Sequence, residues 1–306
     1  VLDRKLSPQA VQKVADGLGM TLKDSALGIY NIVNENMVGA LRTVSVEQGY
    51  DPRDYALIAF GGAGPLHGNA LSRLLGSWPT IIPPGPGVLC ALGDATTAVR
   101  DERARTFVRK FSEISAKEVK SALQELQREA SKALEKEGVP KSEMRTQFEV
   151  DLRYHGQGLR LAVQVDMKDL EKRGLKSLSD QFDAEHKRLF TFALNLEHEL
   201  VSLRAAVIGK GIALKRPEVP KGGPDPKAAA VGKQAAFMDG KNVTATVYDR
   251  AKLKAGNKVK GPAIVMEMDS TTVILPKPHG VVDKVGCILI YPDGYKAAKS
   301  NVKKRK

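Results

Sequence analysis

The chain has 306 residues, of which 42% are hydrophobic and 27% charged, and a formal net charge of +13. This length exceeds a typical single domain of roughly 100–200 residues, so two packed units are expected, and no apolar run approaches the roughly 18 residues of a helical membrane span. Its only cysteines, Cys90 and Cys287, stand far apart without CxxC spacing, which argues against a disulfide framework or thiolate metal site and for a reducing, cytoplasmic setting.

The chain opens on Val1, and "VLDRKLSPQA" lacks the basic-then-apolar plan of a signal peptide, so it reads as a piece whose start lies upstream. From Ser7 a helix is expected, with Pro8 in its first turn and Gly17 and Gly19 ending it. A second helix follows. Its Ala26, Ile29, Ile32, Val33, Met37, Ala40, Leu41 and Val44 fall at helical spacing, and this stripe is expected to pack on a sheet.

"YALIAF" then reads as a buried strand, "WPTIIPP" as another, and "GPGVLCALGDATTAV" as a helix crowded with small residues, in which Gly87, Ala91 and Gly93 are expected to permit close packing. The alternation of helix and strand predicts an α/β layer. A β-like stretch from Arg105 to Lys110 leads into a long amphipathic helix capped by Ser112 or Ser115 and stopped by Gly138 and Pro140. A strand pair turning at Gly156 and Gly158, the helix "LSDQFDAEHKRLFTFAL" and the strand "ELVSLRAAVIG" complete an α+β region.

The Pro- and Gly-rich segment 215–233 reads as a linker, and the Val-, Ile- and Thr-rich runs after it as short strands. The expected division is therefore 1–110 and 111–306. The last eleven residues, 296–306, carry six Lys or Arg and no acid, which leaves +7 for the remainder. With only 5% aromatic residues and no RNA-recognition motif, this basic tail reads as a solvated end rather than a nucleic-acid site.

The chemistry-bearing stretch is "FGGAGPLH". Gly61, Gly62, Ala63 and Gly64 stand between a strand and a helix, where glycines allow positive φ and close approach of a ligand, and the helix start offers unpaired N–H groups. A tight turn with no ligand explains the spacing equally well, and neither GxGxxG nor GxxxxGK[ST] is matched. His67 is either a ligand contact or a core histidine. Five histidines without HExxH or H-x₃-H spacing imply no protein-only metal site. Asp269, Ser270, Thr271 and Thr272 read as strand or turn hydrogen bonders and are assigned no catalytic role.

The wording around these glycines, "ENMVGALRTVSVEQGYDPRDYALIAFGGAGPLHGNALSRLLG" followed by "IIPPGPGVLCALGDATTAVRDERART", closely resembles the hydantoinase A and 5-oxoprolinase family, which includes ATP-binding subunits of acetone and acetophenone carboxylases. The resemblance continues through "DLRYHGQ", "FDAEHKRLFTFAL" and "GPAIVMEMDSTTVILP". It departs at Thr191, where the family carries glycine between its aromatics.

The resemblance implies the C-terminal part of an actin-like or sugar-kinase-like ATPase domain within 1–110, followed by an α+β, β-rich domain. It implies that Gly61, Gly62, Ala63 and Gly64, with His67, Asn36 and Arg42 as further candidates, meet the adenosine of ATP, with Mg²⁺ on the phosphates. The implied activity is ATP-dependent hydrolysis of a cyclic amide such as 5-oxoproline or a hydantoin. The implied partners are an N-terminal half of the same subunit and a hydantoinase B-type subunit or fused half. A ketone carboxylase subunit and a non-catalytic interaction module are the alternatives.

Overall fold

The computed structural model describes residues 6–212, 214 and 217–295, so the basic tail 296–306 and positions 215 and 216 of the linker-like segment lie outside the described residues. Helix α1 (Leu6–Leu18) and helix α2 (Leu22–Val44) form where expected, with Thr21 capping α2 by accepting the Asp24 N–H. The face that α2 buries differs from the expected one. Ser25, Asn34 and Val38 are buried, whereas Ile29, Ile32, Val33 and Val44 are exposed, Val44 at 69%. The helix packs on α1 and on α3 (Gly64–Leu75), meeting His67 of α3 with Tyr30 and Asn34, while much of the apolar stripe stays exposed.

Strand β1 (Leu57–Ile58) leads into α3, which returns to β2 (Thr80–Ile82), and the two strands pair in parallel with Leu57 opposite Thr80 and Ile58 opposite Ile81. A single 3₁₀ turn (Pro86–Val88) then enters α4 (Leu89–Thr96).

Residues Ala95–Leu214 form one compact unit. Its sheet has the order β3-β6-β4-β5, all antiparallel neighbours, built from β3 (Arg100–Lys110), β4 (Arg145–Tyr154), β5 (Leu161–Gln164) and β6 (His198–Ile208). Helix α5 (Ala116–Lys136) starts at Ser115, whose hydroxyl and Glu118 make a reciprocal capping box. It buries Val119, Leu123 and Leu126 against Val150, Leu152, Leu200 and Leu203.

Helices α6 (Met167–Arg173) and α7 (Lys176–Phe190) add Leu170, Leu178 and Phe182 to the same core. Tyr154 is fully buried there. Its hydroxyl donates to Asp183 Oδ1 at 2.7 Å and accepts the Leu194 N–H at 2.9 Å.

Thr191 ends α7 with φ of +73°, a left-handed conformation that a β-branched residue adopts at a cost. A glycine at this place, as the family resemblance implies, would have a backbone reason. Thr191→Gly is expected to stabilise the protein by about 0.5–1 kcal/mol, the relief of left-handed strain exceeding glycine's entropic cost. Chemical denaturation of the two proteins checks it, and a glycine variant of lower stability would refute the strain argument.

The other unit combines Val1–Asp94 with Lys215–Lys306. This differs from a division at 110/111, because the end of the chain returns to the sheet that the start began. Strands β7 (Ala230–Met238), β8 (Lys241–Asp249), β10 (Ala263–Met266) and β11 (Thr271–Ile274) form a sheet of order β11-β10-β8-β7, while β9 (Lys258–Lys260), β12 (His279–Val282) and β13 (Ile288–Tyr291) join the first strands in the order β1-β2-β13-β12-β9.

Ile82, Val259, Val282, Ile288 and Ile290 of the second sheet share one core with Tyr248, Ala263, Val265 and Ile274 of the first. The linker-like segment is partly structured. Val219 N–H bonds to Lys284 O, Gly222 N–H to Ala255 O, and residues 230–233 already belong to β7.

Candidate functional site

The glycine turn is built by the packing beneath it. A Cβ on Gly68 would stand 2.6 Å from Ala59 Cβ and 3.1 Å from Thr80 Cγ2, so the bare backbone lets α3 lie directly on the two parallel strands. Gly61 takes the left-handed conformation at φ +83°, while Gly62 and Ala63 are exposed. Ala63 is the N-cap of α3, and its methyl group cannot satisfy the helix's first N–H groups. Pro65 has no N–H and the Leu66 N–H already donates to Ala63 O at 3.1 Å, so the donors the turn can offer are those of Gly62, Ala63 and Gly64, at the carboxyl end of a parallel strand, the edge at which open α/β sheets receive ligands.

Two further loops meet this turn. The Gly61 N–H donates to Pro86 O at 2.7 Å, joining the turn after β1 to the turn after β2. The tip of the β10–β11 hairpin lies against both. A Cβ on Gly87 would be 2.7 Å from Asp269 O and 2.9 Å from Asp269 Oδ2, and one on Gly62 would be 3.7 Å from Asp269 O.

Glu267 accepts the Gly85 N–H at 3.3 Å and pairs with Arg250 at 3.0 Å, with side-chain exposures of 9% for Arg250 and 11% for Glu267. Arg250 also donates to Ile82 O at 2.9 Å and Gly286 O at 2.8 Å. Burial pushes the Glu267 carboxyl above its ordinary value despite the guanidinium, and burial likewise lowers Arg250. The site is thus backed by carboxylates rather than by lysines.

His67 faces α2. Its Nδ1 lies 2.8 Å from Oδ1 of Asn34, so Nδ1 donates and Nε2 remains the ring's acceptor. Tyr30 stacks on the imidazole with centroids 5.1 Å apart and donates its hydroxyl to Leu66 O at 3.3 Å. Burial holds the imidazole below its ordinary pKa, which favours the neutral ring. Asn36 and Arg42 are exposed, and Asn36 stands about 200° around the helix from the buried Asn34. The structure therefore gathers Gly61, Gly62, Ala63 and Gly64 in one turn, sets His67 at the α2–α3 contact, and leaves Asn36 off that contact.

Sequence reasoning did not single out Asn34, Arg250 or Glu267, and gave Asp269 only a strand or turn hydrogen-bonding role. "MEMDST" read as an ordinary strand end, although two carboxylates at a hairpin tip are a signal of their own. Gly87 proves to accommodate Asp269, and a Cβ on Gly93 would meet nothing within 4 Å, so close packing there is not what that glycine serves.

A cleft of about 520 Å³ among α1, α2, α3 and β7 is lined by apolar side chains such as Val11, Leu27 and Phe237, and does not include the glycine turn. Among the described residues no three His, Cys, Asp or Glu side chains come together to hold a metal ion, and no helix is long and apolar enough to cross a membrane.

Comparison with known proteins gives this geometry its context. The model of the hydantoinase/oxoprolinase C-terminal domain matches residues 107–288, and that of hydantoinase/oxoprolinase matches residues 1–103. An uncharacterized protein of Methanocaldococcus jannaschii is 36% identical over 94% of this chain and 41% of its own length. The caprolactamase subunit alpha of Pseudomonas jessenii is 31% identical over 90% of this chain and 40% of its own. The crystal structure of the ATP-dependent caprolactamase from that organism superposes with a TM-score of 0.82 at 28% identity, covering 96% of this chain and 43% of the other.

The acetone carboxylase beta subunit of Xanthobacter autotrophicus is 24% identical over 90% of this chain. The chain spans about two fifths of the length of the first two of these relatives. Both matched segments run in order through the mixed α/β fold described above, and the chain belongs to the hydantoinase/oxoprolinase family.

Proposed function

We propose that the chain is the adenosine-holding, C-terminal portion of an enzyme that hydrolyses a cyclic amide at the expense of ATP, with the Gly61–Gly64 turn against the adenine and ribose. The observation that carries this reading is the exposed, uncapped turn at the ends of β1 and β2, tied to the Pro86 turn and backed by Glu267 and Asp269. Backbone N–H groups and nearby carboxylates suit a neutral base and hydroxyl donors better than a triphosphate. The reading assigns the domain to the actin-like or sugar-kinase-like ATPases and the protein to the cytoplasm.

An unactivated amide is a poor electrophile, and the phosphoryl group that ATP supplies makes its oxygen a leaving group. Mg²⁺ is proposed as the nucleotide's counter-ion, and nothing in this chain is assigned to it. The exposed apolar face of α2 supports work in company with further polypeptide, from the same subunit and from a second, hydantoinase B-type subunit. The relative named as a caprolactamase subunit favours amide opening over ketone carboxylation.

The complete enzyme, supplied with ATP and in turn caprolactam, 5-oxoproline, hydantoin, or acetone with bicarbonate, tests this. Substrate-dependent ATP consumption with a cyclic amide supports it, and consumption only with the ketone overturns it.

The chain by itself is expected to bind Mg-ATP weakly, because the turn grips only one end of the nucleotide. Calorimetric titration reads this directly. A sub-micromolar Kd would show that these residues hold the phosphates as well.

A further inference from the structure

The β10–β11 hairpin tip, 267–270, has no part in the reading above beyond lending charge. Its placement is nevertheless unusual. Asp269 sits beneath the Gly85–Gly87 turn so closely that a Cβ on Gly87 would lie 2.7 Å from its main-chain O and 2.9 Å from both its Cβ and Oδ2, and Oδ2 is 3.9 Å from a Cβ position on Gly85. That oxygen is buried and has no hydrogen-bond partner.

A buried acceptor without a donor is costly, and costs of this kind gather where function requires them. The residues beside it differ sharply in exposure. Met268 is fully exposed, whereas Ser270 is buried. A cavity of about 520 Å³, lined by Pro84, Arg250, Glu267 and Met268, leaves room for the loops to shift.

We propose that Asp269 is a positioning residue for the nucleotide: its carboxylate props the Gly85–Gly87 turn, which through the bond from Gly61 N–H to Pro86 O fixes the conformation of the glycine turn. Glu267, accepting the Gly85 N–H, is the second prop of the same turn. The proposal rests on the nucleotide reading of Gly61–Gly64. Asp269 need not touch the nucleotide. Without the carboxylate the main-chain O and Cβ contacts at Gly87 remain but the Oδ2 side of the turn is unsupported, so the 85–87 turn shifts toward that space and the 2.7 Å bond draws Gly61 after it.

The test compares Asp269→Ala, Asp269→Asn and Gly62→Val in the complete enzyme, measuring the KM for ATP, kcat and the thermal midpoint. Asp269→Ala is expected to raise the KM about tenfold with kcat within about twofold, and to leave the midpoint unchanged or higher, since an unpartnered buried oxygen has been removed. Asp269→Asn, which fills the same volume, is expected to restore the KM to within about threefold of the parent.

An unchanged KM in Asp269→Ala, or a raised KM accompanied by a fall of several degrees in the midpoint, overturns the proposal. If Gly62→Val weakens ATP use while Asp269→Ala does not, the positioning role alone fails. If neither has an effect, the nucleotide reading itself fails.

Discussion

Gly62→Val, introduced in the complete enzyme, is expected to raise the KM for ATP tenfold or more while the protein remains folded. The structure separates the two glycines on this point. Gly61 carries the positive φ, and a valine there is expected to cost about 1–3 kcal/mol through backbone strain. Gly62 lies outside the left-handed region, is exposed, and would place a Cβ no nearer than 3.7 Å to Asp269 O, an ordinary contact.

A Cβ therefore fits the fold, and the methyl groups it carries are expected to occupy the open side of the turn, where the proposed base approaches. The loss is expected in KM more than in kcat, because the turn binds a part of the nucleotide remote from the bond that breaks. Steady-state kinetics with a thermal melt decides it. Normal kinetics at normal stability would remove Gly62 from the site, and unfolding would return the glycines to a structural role.

Arg250→Met is expected to destabilise the protein by about 3–5 kcal/mol, because it leaves the buried Glu267 carboxylate without its cation. Two main-chain carbonyls, Ile82 O and Gly286 O, lose their donor at the same time. The deficit depends on pH. Burial already raises the Glu267 pKa, and removing the guanidinium that opposes this raises it further. A carboxyl whose folded pKa lies above its unfolded one contributes stability below the unfolded value, and that contribution is lost as pH rises through the folded value.

The variant should thus be least impaired in mild acid and most impaired at neutral pH. Denaturant unfolding at about pH 5 and pH 7.5 measures this, with Glu267→Gln in the Arg250→Met background expected to recover part of the neutral-pH loss. A deficit independent of pH would mean that the lost carbonyl contacts, not the stranded carboxylate, account for the change.

What the sequence disclosed was local. The helix cap, narrowed to Ser112 or Ser115 and found at Ser115, the stop at Gly138 and the strand pair at Gly156 and Gly158 are each set by residues a few positions apart, and each is found. The face of α2 was misread because an apolar stripe says which side of a helix prefers to be covered, not which side meets a given neighbour. Here Asn34 and Tyr30 meet α3 through His67.

Strand β7 hid within Ala, Gly and Lys, residues of low strand propensity, and β9 is only three residues long. The glycine turn was visible, but its supports were not. Gly87 and Asp269 are separated by well over a hundred residues, and nothing in either stretch announces the other.

The five-stranded sheet also bears on how the molecule is made. Its middle neighbours, β2 and β13, come from opposite ends of the described chain, with Ile82 opposite Ile288. On the ribosome the first strands must wait for the last, their loop-closure entropy uncompensated until β13 emerges. Ala95–Leu214 has no such dependence, since all four of its strands are synthesised together and its core draws only on its own helices. The middle of the chain is therefore expected to acquire protease resistance during synthesis while the segment before it remains open.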